Sequence, residues 1–440
     1  MEQKTMDRTT IKGIRWNFST QPLKDDDLDK FYVNTLEARM GSSRNSPIKD
    51  IYEACTGNGA EFTHLLLGHM GCGKSTEINK LEKQFKDDGY TVKKYDLLNE
   101  TNIRNLKVED ILILITDALL GFCKDKQIEI HENDVKKLIF FFAEEEDTIT
   151  KETEKKFSAE AGGGFSFSKI ISFVAEIKAR IQNTTKEMTV IRNKIDKRFS
   201  EWNNCIENII EKIRQQDNGK YPIVIFENFD KIPAEYVDGK IESPAISLFA
   251  NGSLTSINTY MIYTFPINAS YDAKFRSITA YAAPHIFPMI DVKSKTGDKN
   301  KKGFDIIKKV IEKRADLNLF DEEALDLIIE KTGGSLRDVF RCVAEAAKYA
   351  GRGDNMNKIT AEEVIMALND EKYNFLTRRI TMKDYPALNQ IHRTKAEIAD
   401  FEKMNWFLEA HVVLEYNGTR WHDLHPLIYD FMYEHGRIEQ

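Results

Sequence analysis

Apolar runs that alternate with amphipathic stretches predict a sheet whose strands are joined by helices. The runs 62–67, 222–226 and 260–263 are largely apolar, which is typical of strands buried on both faces of a parallel sheet. Residues 90–97 alternate between apolar and polar with period two and predict a further strand. Apolar residues recur at helical spacing over 75–85. The pattern therefore predicts an α/β core with a parallel sheet.

Residues 125–217 break this alternation. They are rich in Lys and Glu, lack proline and show long helical periodicity, so they predict a helical insertion within the core. A glycine-rich segment, 161–168, lies in the middle, with several apolar residues around it. Two interpretations stay open: a loop that contacts a partner or a membrane, or a connector whose apolar residues fold back on the helices.

The C-terminal seventy residues predict a small separate module. Two helix-like segments, around 384–393 and 397–410, precede alternating runs within 412–424. Asn417 and Gly418 stand between these runs, and this dipeptide is a strong signal for a tight hairpin. Helices followed by a two-stranded wing predict a winged-helix module.

Residues 68–75, Gly-His-Met-Gly-Cys-Gly-Lys-Ser, match the phosphate-loop pattern G-x-x-x-x-G-K-[ST] between a predicted strand and a predicted helix. The glycines let successive backbone N–H groups face the phosphates, Lys74 supplies a cation, and the Ser75 hydroxyl can ligate Mg²⁺. The positive end of the helix dipole adds to this anion site. The residues predicted to contact ATP are Gly68, Met70, Gly71, Cys72, Gly73, Lys74, Ser75 and Thr76.

Hydrolysis needs acids that position a metal ion and a group that orients water. The strand 222–226 is followed by Glu227 and Asp230, which we predict to organise Mg²⁺ and water, with Ser75 and Glu227 as the metal ligands. Thr264 ends the strand 260–263 and is a candidate to sense the γ-phosphate. Arg337 opens a helix after two glycines and could reach the same phosphate from a separate helical lid.

The order of these motifs resembles the AAA+-like ATPases, and more narrowly the prokaryotic group related to replication-initiator, STAND and KAP-type NTPases. The resemblance extends over about 50–430. It implies that Glu227 is the magnesium-binding acid, Thr264 is sensor 1 and Arg337 is sensor 2. Arg276 lies where the family often carries an arginine finger, although a surface arginine is the simpler interpretation.

Asn228 departs from the family pattern. Active AAA+ ATPases carry a general-base glutamate at this position, and an amide cannot accept a proton from water. Loss of a general base costs on the order of 10²–10⁴ in rate. We therefore expect slow ATP hydrolysis, unless Asp230 or Glu227 replaces the missing base.

The composition of the chain indicates which partners it binds and in which cellular compartment it is found. The net charge of −7 gives no general attraction to nucleic acid or to an anionic membrane. From residue 370 onward there are nine Lys and Arg against twelve Asp and Glu, so DNA binding is not favoured; the basic residues that could form a local patch there are Arg378, Arg379, Arg393 and Lys395. The five scattered cysteines, the missing apolar signal region and the absence of a membrane-length apolar run predict a cytoplasmic protein.

These patterns divide the chain into four predicted regions. They are an N-terminal adaptor (1–60), an ATPase core (61–290) that contains the insertion 125–217, a helical lid (291–370) and a winged-helix domain (371–440). The resemblance favours a regulatory ATPase that acts as a nucleotide-gated switch with a homo-oligomer or a protein effector, in a bacterial anti-phage or stress system. The alternative is an initiator-type ATPase that remodels or loads DNA.

Overall fold

The architecture was obtained as a computed structural model. It describes residues 7–41, 46–131, 133–134, 137–138, 141, 167–182, 186–233, 235–237, 240–352, 358–416 and 420–438. Residues 161–166 of the glycine-rich segment 161–168, and residues 417–419 of the predicted hairpin, lie outside the described residues.

A five-stranded parallel sheet forms the centre of the molecule. The strands along the chain are β1 (Thr63–Gly68), β2 (Val92–Asp96), β3 (Ile223–Glu227), β4 (Glu235–Val237), β5 (Lys240–Glu242), β6 (Tyr260–Pro266), β7 (Ala283–Ile286), β8 (Val413–Tyr416) and β9 (Trp421–Leu424). The central sheet has the order β2-β3-β6-β1-β7. Because all its strands run parallel, their carboxyl ends meet at one edge.

Helices cover the sheet. In chain order they are α1 (Ile11–Ile14), α2 (Asp26–Phe31), α3 (Leu36–Met40), α4 (Pro47–Thr56), α5 (Lys74–Asp87), α6 (Leu97–Glu100), α7 (Val108–Asp125), α8 (Phe167–Arg180), α9 (Lys186–Lys197), α10 (Phe199–Gln216), α11 (Pro244–Phe249), α12 (Phe275–Ile278), α13 (Lys301–Glu312), α14 (Glu322–Lys331), α15 (Leu336–Ala350), α16 (Ala361–Glu371), α17 (Tyr385–Thr394), α18 (Phe401–Glu409) and α19 (Pro426–Glu434). The architecture is the α/β P-loop ATPase fold, as the sequence predicted.

The strands are buried because they are apolar on both faces. All residues of β1 and β3 are buried, and β6 is buried up to its last residue. The edge strand β2, in contrast, buries only Tyr95 completely, which explains its alternating pattern. Apolar burial on both faces therefore places the polar residues that follow the strands at the open edge of the sheet.

The described part of the insertion 125–217 is helical. Helices α8, α9 and α10 pack on α7, whose side facing them is strongly apolar. Arg192 of α9 donates two hydrogen bonds to the buried Asp110 carboxylate of α7, at 2.9 and 2.8 Å. These contacts attach the insertion to the outer layer of the core. Among the described residues, no helix is both long and apolar enough to cross a membrane.

The C-terminal elements pack directly against the core. The hairpin β8–β9 is antiparallel, and the Met289 N–H donates to the carbonyl of Glu415 at 3.1 Å. The Tyr416 hydroxyl donates to the carbonyl of Gly333 at 2.9 Å, in the loop before α15. The C-terminal hairpin is therefore joined to both the sheet edge and the lid.

Asp423 anchors this arrangement. Its carboxylate is buried and accepts hydrogen bonds from His392 at 2.7 Å and Lys395 at 2.8 Å, and it forms an ion pair with Lys293 at 2.6 Å. Burial alone would raise the pKa of Asp423, but the hydrogen bond from His392 and the charges of Lys293 and Lys395 hold it below its usual value. The carboxylate therefore stays ionised and binds the lid segment to the C-terminal module.

We expect Asp423→Asn to destabilise the protein, because it leaves two ammonium groups beside a buried neutral amide. Breaking a buried ion pair from one side typically costs about 3 kcal/mol. The measurement is the melting temperature at neutral pH. The control is Asp430→Asn, which removes a partly exposed pair with Lys331 at 2.9 Å and should have a smaller effect. Equal melting temperatures for Asp423→Asn and the unmodified protein would contradict this role.

Candidate nucleotide-binding site

The loop between β1 and α5 has the backbone shape that binds phosphate. Gly71 and Gly73 have φ values of +87° and +109°, which side chains disfavour, and α5 begins directly after Gly73. A Cβ atom at Gly71 would lie 2.5 Å from the Cβ atom of Arg337, so the lid approaches the loop too closely for any side chain there. The glycines therefore allow both the curl of the loop and its contact with the lid.

The other predicted loop residues differ in exposure. Gly68 ends β1, and a Cβ atom there would lie 2.6 Å from the carbonyl oxygen of Phe287. Cys72 is fully buried, whereas Met70 is 39% exposed and points away from the core. The Thr76 hydroxyl accepts a hydrogen bond from the Leu23 N–H at 3.2 Å.

The Lys74 ammonium is bound by carbonyl groups of the loop and by a carboxylate. It donates to the carbonyls of Gly68 at 2.6 Å and His69 at 3.0 Å, and it forms an ion pair with Asp230 at 2.8 Å. The Lys74 and Asp230 side chains are both less than a tenth exposed. Nucleotide phosphates would therefore compete with Asp230 for the same cation.

Glu227 has the features of a metal ligand. Burial raises its pKa to about 7, although the charge of Lys94 and a hydrogen bond from the Ser75 hydroxyl oppose that rise. Among the described residues, nothing donates a hydrogen bond to its buried Oε1 atom. A buried carboxylate oxygen without a partner beside a serine hydroxyl fits Mg²⁺, which prefers oxygen ligands. Ser75 and Glu227 therefore suit the metal role predicted for them.

Thr264 and Asn228 are bonded to each other. The Thr264 hydroxyl oxygen accepts a hydrogen bond from the Asn228 N–H at 2.8 Å, and Asn228 has a left-handed φ of +76°. The Asn228 side-chain amide donates to the carboxylate of Asp96, at the end of β2. Contrary to the prediction from the sequence, Thr264 does not end its strand, because β6 continues to Pro266. Polar contacts thus link the ends of β2 and β3 to the last part of β6.

The two predicted arginines lie in different places. Arg337 lines the nucleotide cleft, and its backbone N–H donates to the carbonyl of Gly71 at 3.2 Å. Arg276 is exposed in α12 and is absent from the cleft lining. Within one chain, the structure therefore joins Arg337 to the phosphate loop but leaves Arg276 at the surface.

The cleft beside the loop is about 250 Å³ and is partly closed by the N-terminal segment. Its walls come from the phosphate loop, the lid and residues 20–39. The Arg314 guanidinium carbon lies 5.5 Å from the ring centre of Phe31 and 4.5 Å from that of Phe340. These aromatic and apolar walls suit a planar base, so the segment 1–60 contributes to the site itself.

Arg39, which the sequence analysis did not single out, binds the phosphate loop from within the core. It is fully buried and donates to the carbonyls of Cys72 and Pro288 at 2.5 Å each, and to the Thr35 hydroxyl at 2.8 Å. No carboxylate of the described residues forms an ion pair with it. Burial lowers the pKa of Arg39, which the nearby Cys72 and Glu77 oppose. One arginine in a mixed-charge segment carries no motif, so the sequence offered no signal for it.

A histidine cluster lies behind the loop. Side-chain ligand atoms of Asp338, His411 and His425 lie within 4.8 Å of one another. The Nδ1 atom of His425 accepts a hydrogen bond from the Leu427 N–H at 3.2 Å, which places the ring proton on Nε2, 3.6 Å from the Asp338 carboxylate. A protonated nitrogen cannot bind a metal, so the geometry favours a structural role for this cluster.

Comparison with known proteins gives matches only at the level of structure. No protein-family model and no curated protein matches the sequence. Solved structures that resemble the chain include Orc1 of Aeropyrum pernix in complex with DNA, with a TM-score of 0.38 and 12% identity over 96% of both chains. Another is the RuvB Holliday junction branch migration motor of Thermotoga maritima, with a TM-score of 0.38 and 10% identity over 96% of this chain and 99% of that chain.

A third similar structure is a Walker-type ATPase of Pyrococcus abyssi. Its TM-score is 0.41 and its identity is 12%, over 95% of this chain and 99% of that chain. The assignment of the fold rests on the sheet order and the loop geometry of this chain.

We expect Arg39→Gln to weaken Mg-ATP binding by about 10- to 100-fold, because two carbonyls at the loop lose charged donors. The affinity can be measured with a fluorescent ATP analogue. Arg15→Gln is the matched control, since Arg15 belongs to the same N-terminal segment but does not line the cleft. If Arg39→Gln keeps its melting temperature and binds ATP as tightly as the control does, the assigned role is wrong.

Proposed function

We propose that this chain is an AAA+-like regulatory ATPase that binds Mg-ATP, hydrolyses it slowly and acts as a nucleotide-gated switch with a homo-oligomer or a protein effector. One observation carries the proposal: the phosphate loop contacts the lid and the C-terminal module directly. The backbone N–H of Arg337 in the lid donates to the carbonyl of Gly71, and the backbone N–H of Glu415 in β8 donates to the His69 ring at 2.9 Å. A change at the phosphates can therefore alter the positions of both elements.

The contacts at His69 support this coupling. Its ring is fully buried, and its Nε2 atom accepts the Glu415 N–H, so the ring proton lies on Nδ1. Burial lowers the pKa of His69 well below its usual value, and nearby His411 and Lys74 act in the same direction. A neutral His69 therefore joins a variable position of the phosphate loop to the C-terminal hairpin.

The domain boundaries belong to the same proposal. Residues 371–440 supply helices, a two-stranded hairpin and a final helix, the elements of a winged-helix module. Residues 291–370 supply the helices of a lid that carries Arg337. The exposed Arg276 suits a residue that reaches the nucleotide of a neighbouring subunit. A cytoplasmic anti-phage or stress role rests only on the resemblance stated for the sequence.

A DNA-remodelling or loading ATPase is the second candidate. Two of the four basic residues that could form a DNA-binding patch are already engaged within the chain. Arg379 donates to the carbonyl of Ala410 at 2.7 Å, and Lys395 donates to Asp423 at 2.8 Å. Arg378 and Arg393 remain exposed. These internal contacts, together with the excess of acidic residues in this module, favour a protein partner over DNA.

We expect the purified chain to hydrolyse ATP slowly, without stimulation by DNA, and to change its mass when Mg-ATP is added. Lys74→Ala should lose both properties because it removes the cation that binds the phosphates. Lys86→Ala, on the exposed side of the same helix, is the control. Phosphate release and light scattering, each with and without DNA, are the measurements.

Three outcomes of this experiment would change the proposal. Turnover of tens per second would contradict a slow switch. Stimulation by DNA would favour the remodelling or loading ATPase. A mass that does not respond to ATP would exclude switching through self-assembly and leave only a protein effector.

We expect Arg337→Ala to bind ATP within a few-fold of the unmodified affinity but to lose the ATP-dependent change in mass. The reason is that the Arg337 side chain lines the cleft and is the part of the lid that can reach the γ-phosphate, whereas its backbone contact with Gly71 and the donors of the loop remain in the variant. Arg352→Ala, just beyond the other end of the same helix, is the matched control. An unchanged response to ATP in Arg337→Ala would show that the lid does not read the phosphate through this side chain.

A further inference from the structure

A small cavity lies between the phosphate loop and the C-terminal module. Its walls come from Gly68 and Met70 of the loop, from the chain that follows β3 and β6, and from Leu408 and Glu409 of α18. The cavity has a volume of about 40 Å³, whereas about 10–15 Å³ suffices for one water molecule. The C-terminal module therefore borders a water-sized space beside the phosphate loop.

This cavity adjoins the end of the nucleotide cleft where the terminal phosphates are expected. Asp230 borders both the cavity and the cleft. Its carboxylate forms an ion pair with the Lys74 ammonium at 2.8 Å, and in phosphate loops this lysine reaches the β- and γ-phosphates. A water molecule in the cavity would therefore lie beside the expected place of the γ-phosphate.

Glu409 is a carboxylate of this cavity with spare capacity for hydrogen bonds. Among the described residues, no Lys, Arg or His side chain forms an ion pair with it. The Asn268 amide donates to its Oε2 atom at 3.3 Å and to the Asn405 side-chain oxygen at 2.8 Å. Asn268 is 2% exposed and lines the same cavity, so its amide orients the carboxylate there. A carboxylate has about four acceptor positions, so Glu409 can also accept a hydrogen bond from water.

The other acids near the phosphate loop are engaged by different groups. Glu227 lies beside the Ser75 hydroxyl, and Asp230 is bound to Lys74. Burial raises the pKa of Glu409, and no neighbouring charge opposes that rise. A carboxylate with a raised pKa is a stronger base than an ordinary one. Its position at the cavity and its basicity therefore point to the same role.

We propose that Glu409 is a catalytic residue, the general base that takes the proton of the attacking water in place of the acid missing at Asn228. The inference rests on the ATPase activity proposed above. Glu409 belongs to the C-terminal module and reaches the cavity because α18 packs on the turn 267–271 after β6. The base and the phosphate loop lie in different parts of the chain, so hydrolysis depends on the position of the C-terminal module.

The step balances without a further reactant. The oxygen of the water forms a bond to the γ-phosphorus while one of its protons passes to a carboxylate oxygen of Glu409. The bond between the γ-phosphorus and the β–γ bridging oxygen breaks, and ADP leaves with the electron pair. Glu409 then gives its proton to the released phosphate and returns to the ionised state.

The first test is Glu409→Gln, which keeps the size of the side chain and an oxygen that can accept from Asn268. An amide cannot take a proton from water, so we expect kcat to fall about 100-fold or more. ATP affinity and melting temperature should stay close to those of the unmodified protein. Glu402→Gln is the matched control, because Glu402 is exposed on the same helix. Phosphate release and a fluorescent ATP analogue supply the measurements.

The second test returns a carboxylate to the cavity without the side chain. Glu409→Ala leaves space for a formate ion, and we expect sodium formate to raise its kcat several-fold, whereas sodium chloride at the same concentration does not. Formate should not raise the kcat of Glu409→Gln, whose side chain fills the space. A role of Glu409 in packing alone would not produce such a rescue.

The outcomes separate the inference from the function on which it rests. If the unmodified chain binds ATP but never hydrolyses it, the proposed ATPase activity fails and the inference with it. If the chain hydrolyses ATP and Glu409→Gln does so as fast or faster, only the inference fails. The inference is also overturned if ATP affinity falls as much as kcat does, or if formate raises the kcat of Glu409→Ala no more than chloride does.

Discussion

The buried guanidinium of Arg39 is the contact on which the nucleotide site depends. Because this cation has no ion-pair partner among the described residues, backbone carbonyls must satisfy it, and two of them belong to Cys72 and Pro288. One side chain from α3 thereby fixes the phosphate loop and the chain that leaves β7. The N-terminal segment, the loop and the sheet edge consequently form one unit around the cleft.

The charged side chains at the open edge of the sheet lie beside this unit of N-terminal segment, phosphate loop and sheet. The carbonyls of the phosphate loop and the Asp230 carboxylate bind the Lys74 ammonium. Burial raises the pKa of Glu227 to about 7. Asn228 follows Glu227 in the chain, and its side-chain amide donates to the Asp96 carboxylate at the end of β2. An amide cannot accept a proton from water, so Asn228 agrees with the slow hydrolysis that we propose.

The contacts behind the loop explain how such a switch could report its state. His69 occupies a variable position of the motif, yet its ring is fully buried against the C-terminal hairpin. Arg337 reaches the same loop from the lid. Packed interfaces between domains tend to switch between discrete arrangements. In the proposed switch, binding or loss of the γ-phosphate would therefore shift the lid and the C-terminal hairpin through these few polar contacts.

The sequence by itself determined the local elements and the loop, since apolar periodicity and the glycine, lysine and serine spacing depend only on neighbours along the chain. It also predicted that Glu227 and Thr264 lie at one edge of the sheet, because the carboxyl ends of parallel strands meet there, and that Arg337 approaches the phosphate loop from a separate helix. Only the tertiary structure decided the contacts of Arg39 and Asp96. Each acts across many residues of sequence, on a carbonyl or an amide that no spacing rule relates to it, and such pairings arise only when the strands and helices pack.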